Sequence, residues 1–202
     1  MKYALLGDLH SSLSDTKDVL MHITKISPEA KLVGIGDIFE CVIGKKRAIT
    51  ERFESLSKVM KNSKAFTSLL TFPSVRGNQE QRILDITITN DKFYYVLKNL
   101  PETIDLPHGI IIHGHQWKEK ISIPKIFNTE DKILFYGHSH KSGLMERHKQ
   151  IPYFHNQEIK LQHFQYQVNV GSVVDNREWL LYDDERMTIS FMKARKRTHE
   201  SN

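Results

Sequence analysis

Apolar residues along this chain fall in short runs, and several of those runs stop on a small polar cluster. Residues 2–7 carry Tyr3-Ala4-Leu5-Leu6 and end on Gly7-Asp8, which predicts a buried strand. Over 13–26 the apolar positions Leu13, Val19, Leu20, Ile23 and Ile26 recur with helical spacing, with Ser14 as the expected N-cap and Pro28 as the stop. Residues 31–35 predict a second strand, running into Gly36-Asp37. Residues 49–70 predict one long helix with Phe53, Leu56, Val59 and Met60 on its buried face. A third strand is expected at 72–75, entering Arg76-Gly77-Asn78, and a helical or mixed stretch then runs to Leu100, where Pro101 breaks it.

The second half reads differently. Strands are expected at 110–112, ending on His113, and at 133–136, ending on Gly137-His138. Further strands follow at 143–145, 168–170, 179–182 and 187–191, with Asp183-Asp184-Glu185 as a hairpin turn between the last two. Strands alternating with helices and then giving way to strands alone predict an α/β fold, a layered sandwich with a mixed sheet.

Composition narrows the class. The 202 residues are 39% hydrophobic and 26% charged, enough apolar material for one real core and too much for a disordered chain. No run approaches about 18 consecutive apolar residues, so no membrane span is expected. The N-terminal residues turn polar at Asp8, too early for a signal peptide, and the single cysteine, Cys41, has no partner for an intramolecular disulfide; a cytoplasmic location is expected. The net charge of +5 is a mild excess, part of it at Lys193, Arg195, Lys196 and Arg197. One domain over 1–192 with a basic, flexible tail over 193–202 is the expectation. No basic face interleaved with aromatics is present, so sequence-specific nucleic-acid binding is not expected. Histidine is the unusual count, at eleven, and histidine is the commonest metal ligand.

The candidate chemistry sits at the expected strand ends: Gly7-Asp8-Leu9-His10, Gly36-Asp37, Gly77-Asn78, His113-Gly114-His115 and Gly137-His138-Ser139-His140. Ligands of open α/β sheets bind beyond the carboxyl ends of strands, so these clusters can converge although they are far apart in sequence. Carboxylate, amide oxygen and imidazole without thiolate suit first-row divalent metals. In a purely extended segment His138 and His140 would project to one side, so both act on one centre only if the chain turns there. Taken singly the pieces are weak; a lone Asp37 is as readily a turn residue and a lone His113 a structural histidine.

In this order the motifs resemble those of the calcineurin-like metallophosphoesterases. Asn169-Val170-Gly171-Ser172 also resembles the Asn-Pro-Gly-Ser element of the compact bacterial and archaeal phosphodiesterase branch. The resemblance implies two packed mixed sheets flanked by helices. It implies one metal held by Asp8, His10, Asp37 and His140 and a second held by Asp37, Asn78, His113 and His138, with Asp37 bridging. The implied activity is a phosphodiesterase acting on small or nucleotide-like phosphate esters, by in-line attack of a metal-bridging hydroxide. The implied cofactors are two divalent ions, manganese first, with nickel, iron, zinc, cobalt or magnesium as alternatives. The implied partner is the small phosphate-ester substrate, with a homo-oligomer left open. Asp37, Asn78 and His115 are then the candidate catalytic residues, and Arg76, Asn78, Gln79 and His115 the candidate substrate contacts.

Two positions depart from the pattern. Gln79 stands where many relatives have histidine, and a glutamine is no acid near neutral pH, so alkyl monoesters should suffer most. Glu40 stands where Gly-Asp-x-x-Asp is common and keeps the charge on a longer arm. Two other functions compete: a non-catalytic scaffold on the same fold, and a phosphoprotein phosphatase, suggested by Arg76-Gly77-Asn78-Gln79-Glu80 but opposed by the missing Arg-Gly after Glu40. One of His148, His155 and His163 could reach a phosphate from a cap, but their spacing fits no metal site and a solvated hairpin is the favoured reading. Trp117 and Phe127 read either as pocket wall or as core.

Overall fold

A computed structural model describes residues 1–117, 132–147 and 149–197; Phe127 and His148 lie outside them. Two mixed sheets pack face to face. The first has five strands in the order β10 (Glu158–Lys160), β13 (Thr188–Lys193), β12 (Glu178–Asp183), β1 (Lys2–Leu6), β2 (Lys31–Gly34). The second has six, β5 (Thr103–Leu106), β6 (Gly109–Ile112), β7 (Ile133–Tyr136), β11 (Tyr166–Asn169), β8 (Gly143–Glu146), β9 (Lys149–Ile151). In each sheet the parallel pairs sit among antiparallel ones: β1 with β2, and β6 with β7 and β7 with β11.

The period of two along the strands builds the layers. Tyr3 and Leu5 of β1 face the second sheet, where they join Ile111, Phe135, Val168, Leu180 and Tyr182 in the inter-sheet core. Ala4 and Leu6 point the other way, into a cluster under the helices with Val19, Ile23, Ile83 and Trp179. On the second sheet Ile110, Ile112 and Leu134 form a smaller outer layer. This is the expected α/β sandwich. Among the described residues no helix is long and apolar enough to cross a membrane.

Helix α1 spans Leu13–Ile26. Its N-cap is Ser12 and not Ser14: the Ser12 carbonyl already accepts from Thr16 N–H at 3.1 Å, which starts the helical ladder two residues earlier. The long helix expected over 49–70 is broken into α2 (Lys45–Thr50), a 3₁₀ turn (Leu56–Lys58), strand β4 (Met60–Lys61) paired with β3 (Glu40–Cys41), and α3 (Lys64–Thr67). Serines account for much of this. Ser55 and Ser63 accept from the N–H groups of Ser57 and Phe66, so each starts a new turn. Phe53, Leu56, Val59 and Met60 still pack in one cluster, so the pattern located the core while misreading the backbone.

The strand expected at 72–75 shrinks to a bridge between Ser74 and Gly34, because Pro73 has no N–H to extend a ladder. The stretch after Asn78 forms α4 (Asn78–Ile86) and α5 (Lys92–Lys98). The start of the expected tail belongs to the fold. Lys193 closes β13, Ala194 is buried, and Arg197 is paired with Asp18 at 2.5 Å.

Phe135 is fully buried between the sheets, whereas Ile49 is 75% exposed on α2. Phe135→Ala should therefore lower unfolding free energy by about 3–5 kcal/mol, and Ile49→Ala by less than about 0.5 kcal/mol. Denaturant unfolding measures both, and equal losses would contradict this layering.

Candidate metal centre

The carboxyl ends of β1 and β2 in one sheet and of β6, β7 and β11 in the other meet at one edge of the sandwich. Bonds between the two sheets fix that meeting. His113 Nδ1–H donates to the Ile35 carbonyl at 2.8 Å, and His138 N–H donates to Asp8 Oδ2 at 3.0 Å. Asn169 Nδ2 donates to Gly137 O at 3.2 Å and Ser139 Oγ at 2.8 Å, stapling the histidine loop to the end of β11.

The backbone here is in a sparsely populated region. Asp8, His10, Ser11, Asp37, His138 and His140 all have positive φ, between 46° and 69°. Each such residue costs of order 1–3 kcal/mol and persists only where its surroundings over-determine it. The left-handed turns at His138 and His140 also resolve how both rings serve one centre: each points to a different group of ligands. Gly77 is required at its place, since a Cβ there would lie 2.1 Å from Asp37 Oδ1.

Two triads of potential cation ligands result, Asp8 with His10 and His140, and Asp37 with His113 and His138; within each, the ligand atoms lie within 4.8 Å of one another. Asp8 Oδ1 is 3.9 Å from His10 Nε2 and 3.4 Å from His140 Nε2. Asp37 Oδ2 lies between the triads, 3.8 Å from His10 Nε2 and 3.3 Å from His113 Nε2. Asn78 Oδ1 is 3.1 Å from His113 Nε2, which puts it in the second group. The donors fit a pair of divalent cations. Asp8 Oδ1 and His10 Nε2 are shielded from solvent and have no hydrogen-bond partner among the described residues, an expensive arrangement for bare polar atoms.

Without a cation the triads hold protons. Burial disfavours charge on His10, but Asp8 and Glu40 outweigh it and raise its pKa to about 10. Burial is likewise outweighed at His113 by Asp37, giving about 9. At His140 the neighbouring Asp8 carboxylate dominates and gives about 9. Burial opposes ionisation of Asp8, yet the His10 and His140 rings beside it hold it below the usual carboxylate range. His138 is shifted down by burial and by His113.

His115 is half-buried beside the second triad, its ring centroid 5.4 Å from that of His113, and Nδ1 has no partner among the described residues. Burial and then the His113 charge push its pKa down to about 4, so it is neutral near pH 7. Gln79 N–H donates to Asp37 Oδ1 at 2.8 Å, and the Gln79 amide oxygen accepts from Cys41 N–H at 3.2 Å and from Arg82. The Arg76 guanidinium is engaged by Glu102 and by the Lys98 carbonyl. Trp117 packs edge-on against Tyr136. His163 pairs with Glu146 and stacks on Tyr166, and His155 faces Glu178, so these two serve local structure.

Two contributors were not among the anticipated site residues. Glu80 is fully buried and accepts from the N–H groups of Asp37, Phe39 and Gly77 at 3.0, 2.8 and 2.8 Å. Burial, and then the Asp37 charge, raise its pKa. Asp175 accepts from His140 Nδ1 at 2.6 Å. The only sequence hint to it is Ser172-Val173-Val174-Asp175, a helix-start pattern that places an acid next to the Gly171-Ser172 turn.

A family model described as the calcineurin-like phosphoesterase superfamily domain matches residues 1–186. No curated protein matches the chain. Among solved structures, a metallophosphoesterase from Sphaerobacter thermophilus has a TM-score of 0.65 at 16% identity, covering 98% of this chain and 89% of that one. The hypothetical protein PH1004 from Pyrococcus horikoshii OT3 has a TM-score of 0.57 at 13% identity, covering 98% and 89%. A candidate diadenosine tetraphosphatase has a TM-score of 0.53 at 15% identity, covering 97% and 95%. At these identities the likeness is one of fold.

Cation binding should expel protons. With pKa values of about 10, 9 and 9, His10, His113 and His140 are charged at pH 7 in the metal-free protein, and a cation needs each ring neutral. Apparent affinity for Mn²⁺ should therefore climb as pH rises from 7 to 9. Calorimetric titration in buffers of different ionisation enthalpy should register the released protons. An affinity flat with pH, with no proton release, would contradict the assigned ligands.

Proposed function

The chain belongs to the calcineurin-like phosphoesterase superfamily, a metal-dependent family, and on that premise we propose that it is a phosphodiesterase acting on small or nucleotide-like esters. The observation that carries the reading is Asp37 Oδ2, set between His10 and His113 at 3.8 and 3.3 Å, where one carboxylate can serve two cations. Bound there, two divalent ions would acidify water and neutralise charge developing on the phosphoryl oxygens. The first would be held by Asp8, His10, Asp37 and His140, the second by Asp37, Asn78, His113 and His138. Manganese suits these oxygen and imidazole donors.

The residues divide the remaining work. Asp37 supplies the shared negative charge, and Gln79 N–H and Glu80 keep it in place. Asn78 brings a neutral amide at the start of α4, whose N-terminus favours an anion nearby. His115, neutral near pH 7, offers one ring N–H to a phosphate oxygen and is no proton source for the leaving group. Gln79 is no acid either, and its amide oxygen is already committed to Cys41 and Arg82. With neither residue able to protonate a departing alkoxide, the reading favours esters whose leaving oxygen is already acidic over alkyl monoesters. Every ligand position is filled, which favours catalysis over the scaffold alternative.

The test is a metal-screened panel of bis(p-nitrophenyl) phosphate, cyclic nucleotides and alkyl monoesters. Diester turnover with Mn²⁺ or Ni²⁺, exceeding alkyl monoester turnover, is expected. No turnover with any divalent ion, together with capture of a stable protein partner, would replace the reading with the scaffold. Asp37→Asn should lower kcat/KM by about a thousandfold, equivalent to ~4 kcal/mol of transition-state stabilisation.

A further inference from the structure

The two triads differ in what stands behind their imidazoles. In the first, both rings are backed by carboxylates: Glu40 meets His10 Nδ1, and Asp175 meets His140 Nδ1 at 2.6 Å. In the second, His113 Nδ1 is backed by the neutral Ile35 carbonyl. A carboxylate can only accept, so Nδ1 of His10 and of His140 carries a hydrogen, and it is Nε2 that would give up its proton and offer a lone pair to a cation. A charged acceptor also makes the opposite nitrogen a better donor to a cation than a carbonyl does.

Both carboxylates are tied to the loop that carries Asp8 and His10. Glu40 N–H donates to Ser11 Oγ at 3.1 Å, which ties β3 to the residue after His10. Asp175 lies in α6 (Val173–Asn176), whose Val173 and Val174 N–H groups donate to Gly7 O and Asp8 O at 3.1 Å each. Asp175 N–H is itself taken by Ser172 Oγ at 3.2 Å. The α6 turn thus holds Asp8 through its backbone and His140 through Asp175, setting the two ligands relative to each other.

We propose that Asp175 and Glu40 are positioning residues that fix His140 and His10 as Nε2 ligands and make the first triad the tighter of two unequal cation sites. The inference rests on the dinuclear reading above. The first triad has the Asp8 carboxylate, with those of Glu40 and Asp175 directly behind its rings and Asp37 shared, whereas the second has Asp37 and the neutral Asn78, with the buried Glu80 bonded to the Asp37 backbone and not to a ring.

The experiment is Mn²⁺ titration of the full chain, followed by calorimetry and by the electron paramagnetic resonance of free and bound Mn²⁺. The variants are Asp175→Asn, Glu40→Gln, Asp175→Glu and, as a marker of the second triad, Asn78→Ala. Two binding steps are expected in the unmutated protein. Asp175→Asn and Glu40→Gln should weaken the tighter step by about 10–100-fold and leave the other within about threefold, with unchanged melting of the metal-free protein. Asp175→Glu should recover most of the loss, and Asn78→Ala should weaken only the looser step. Two steps in the unmutated protein with unaltered or equally weakened steps in Asp175→Asn would overturn this inference and leave the dinuclear reading standing. An unmutated protein that binds no Mn²⁺ would overturn both.

Discussion

The site depends on holding one carboxylate where two groups of imidazoles can share it. Asp37 sits one residue past Gly36, in a left-handed backbone conformation, with its side chain almost wholly buried. Its N–H is taken by Glu80 and its Oδ1 by Gln79 N–H, so Oδ2 is the atom left facing His10 and His113. Gly77 lets α4 come close enough to make both bonds, because any side chain there would collide with Asp37. A buried anion between histidines is costly unless cations or protons compensate it, and the raised pKa values of His10 and His113 show which way the fold resolves the problem without metal.

The rest of the architecture serves that placement. Parallel strands from two different sheets bring their carboxyl ends to one edge, and the hydrogen bonds from His113 to Ile35 and from His138 to Asp8 lock one sheet to the other there. Six left-handed residues fall in these loops, while the inter-sheet core of Leu5, Phe135, Val168 and Tyr182 is regular and tightly buried. Stability generated between the sheets holds the ligand loops in conformations they would not adopt alone.

Much of this was legible in the sequence because buried strands leave a strong mark. Apolar runs that end on Gly-Asp, His or Gly-His located β1, β2, β6 and β7 together with the residues that converge, and the resemblance to a family ordered them. Local competition was less legible. The apolar spacing at Phe53, Leu56, Val59 and Met60 looks helical, and only the serine side chains at 55 and 63 reveal why the backbone restarts. Partners distant in sequence were the least legible. The bond between His140 and Asp175 spans 35 positions and obeys no periodicity, and the backbone N–H of Gln79 acts whatever its side chain is. A motif names the ligands; the fold chooses what stands behind them.

On the proposed function, Asp8, His10, Asp37, Asn78, His113, His138 and His140 surround two cations with Asp37 between them. Anomalous diffraction from crystals grown with excess Mn²⁺ addresses it most directly. Two manganese peaks roughly 3.5–4 Å apart are expected, both within coordination distance of the Asp37 carboxylate. A single peak away from Asp37, or none in the space between the two triads, would contradict it.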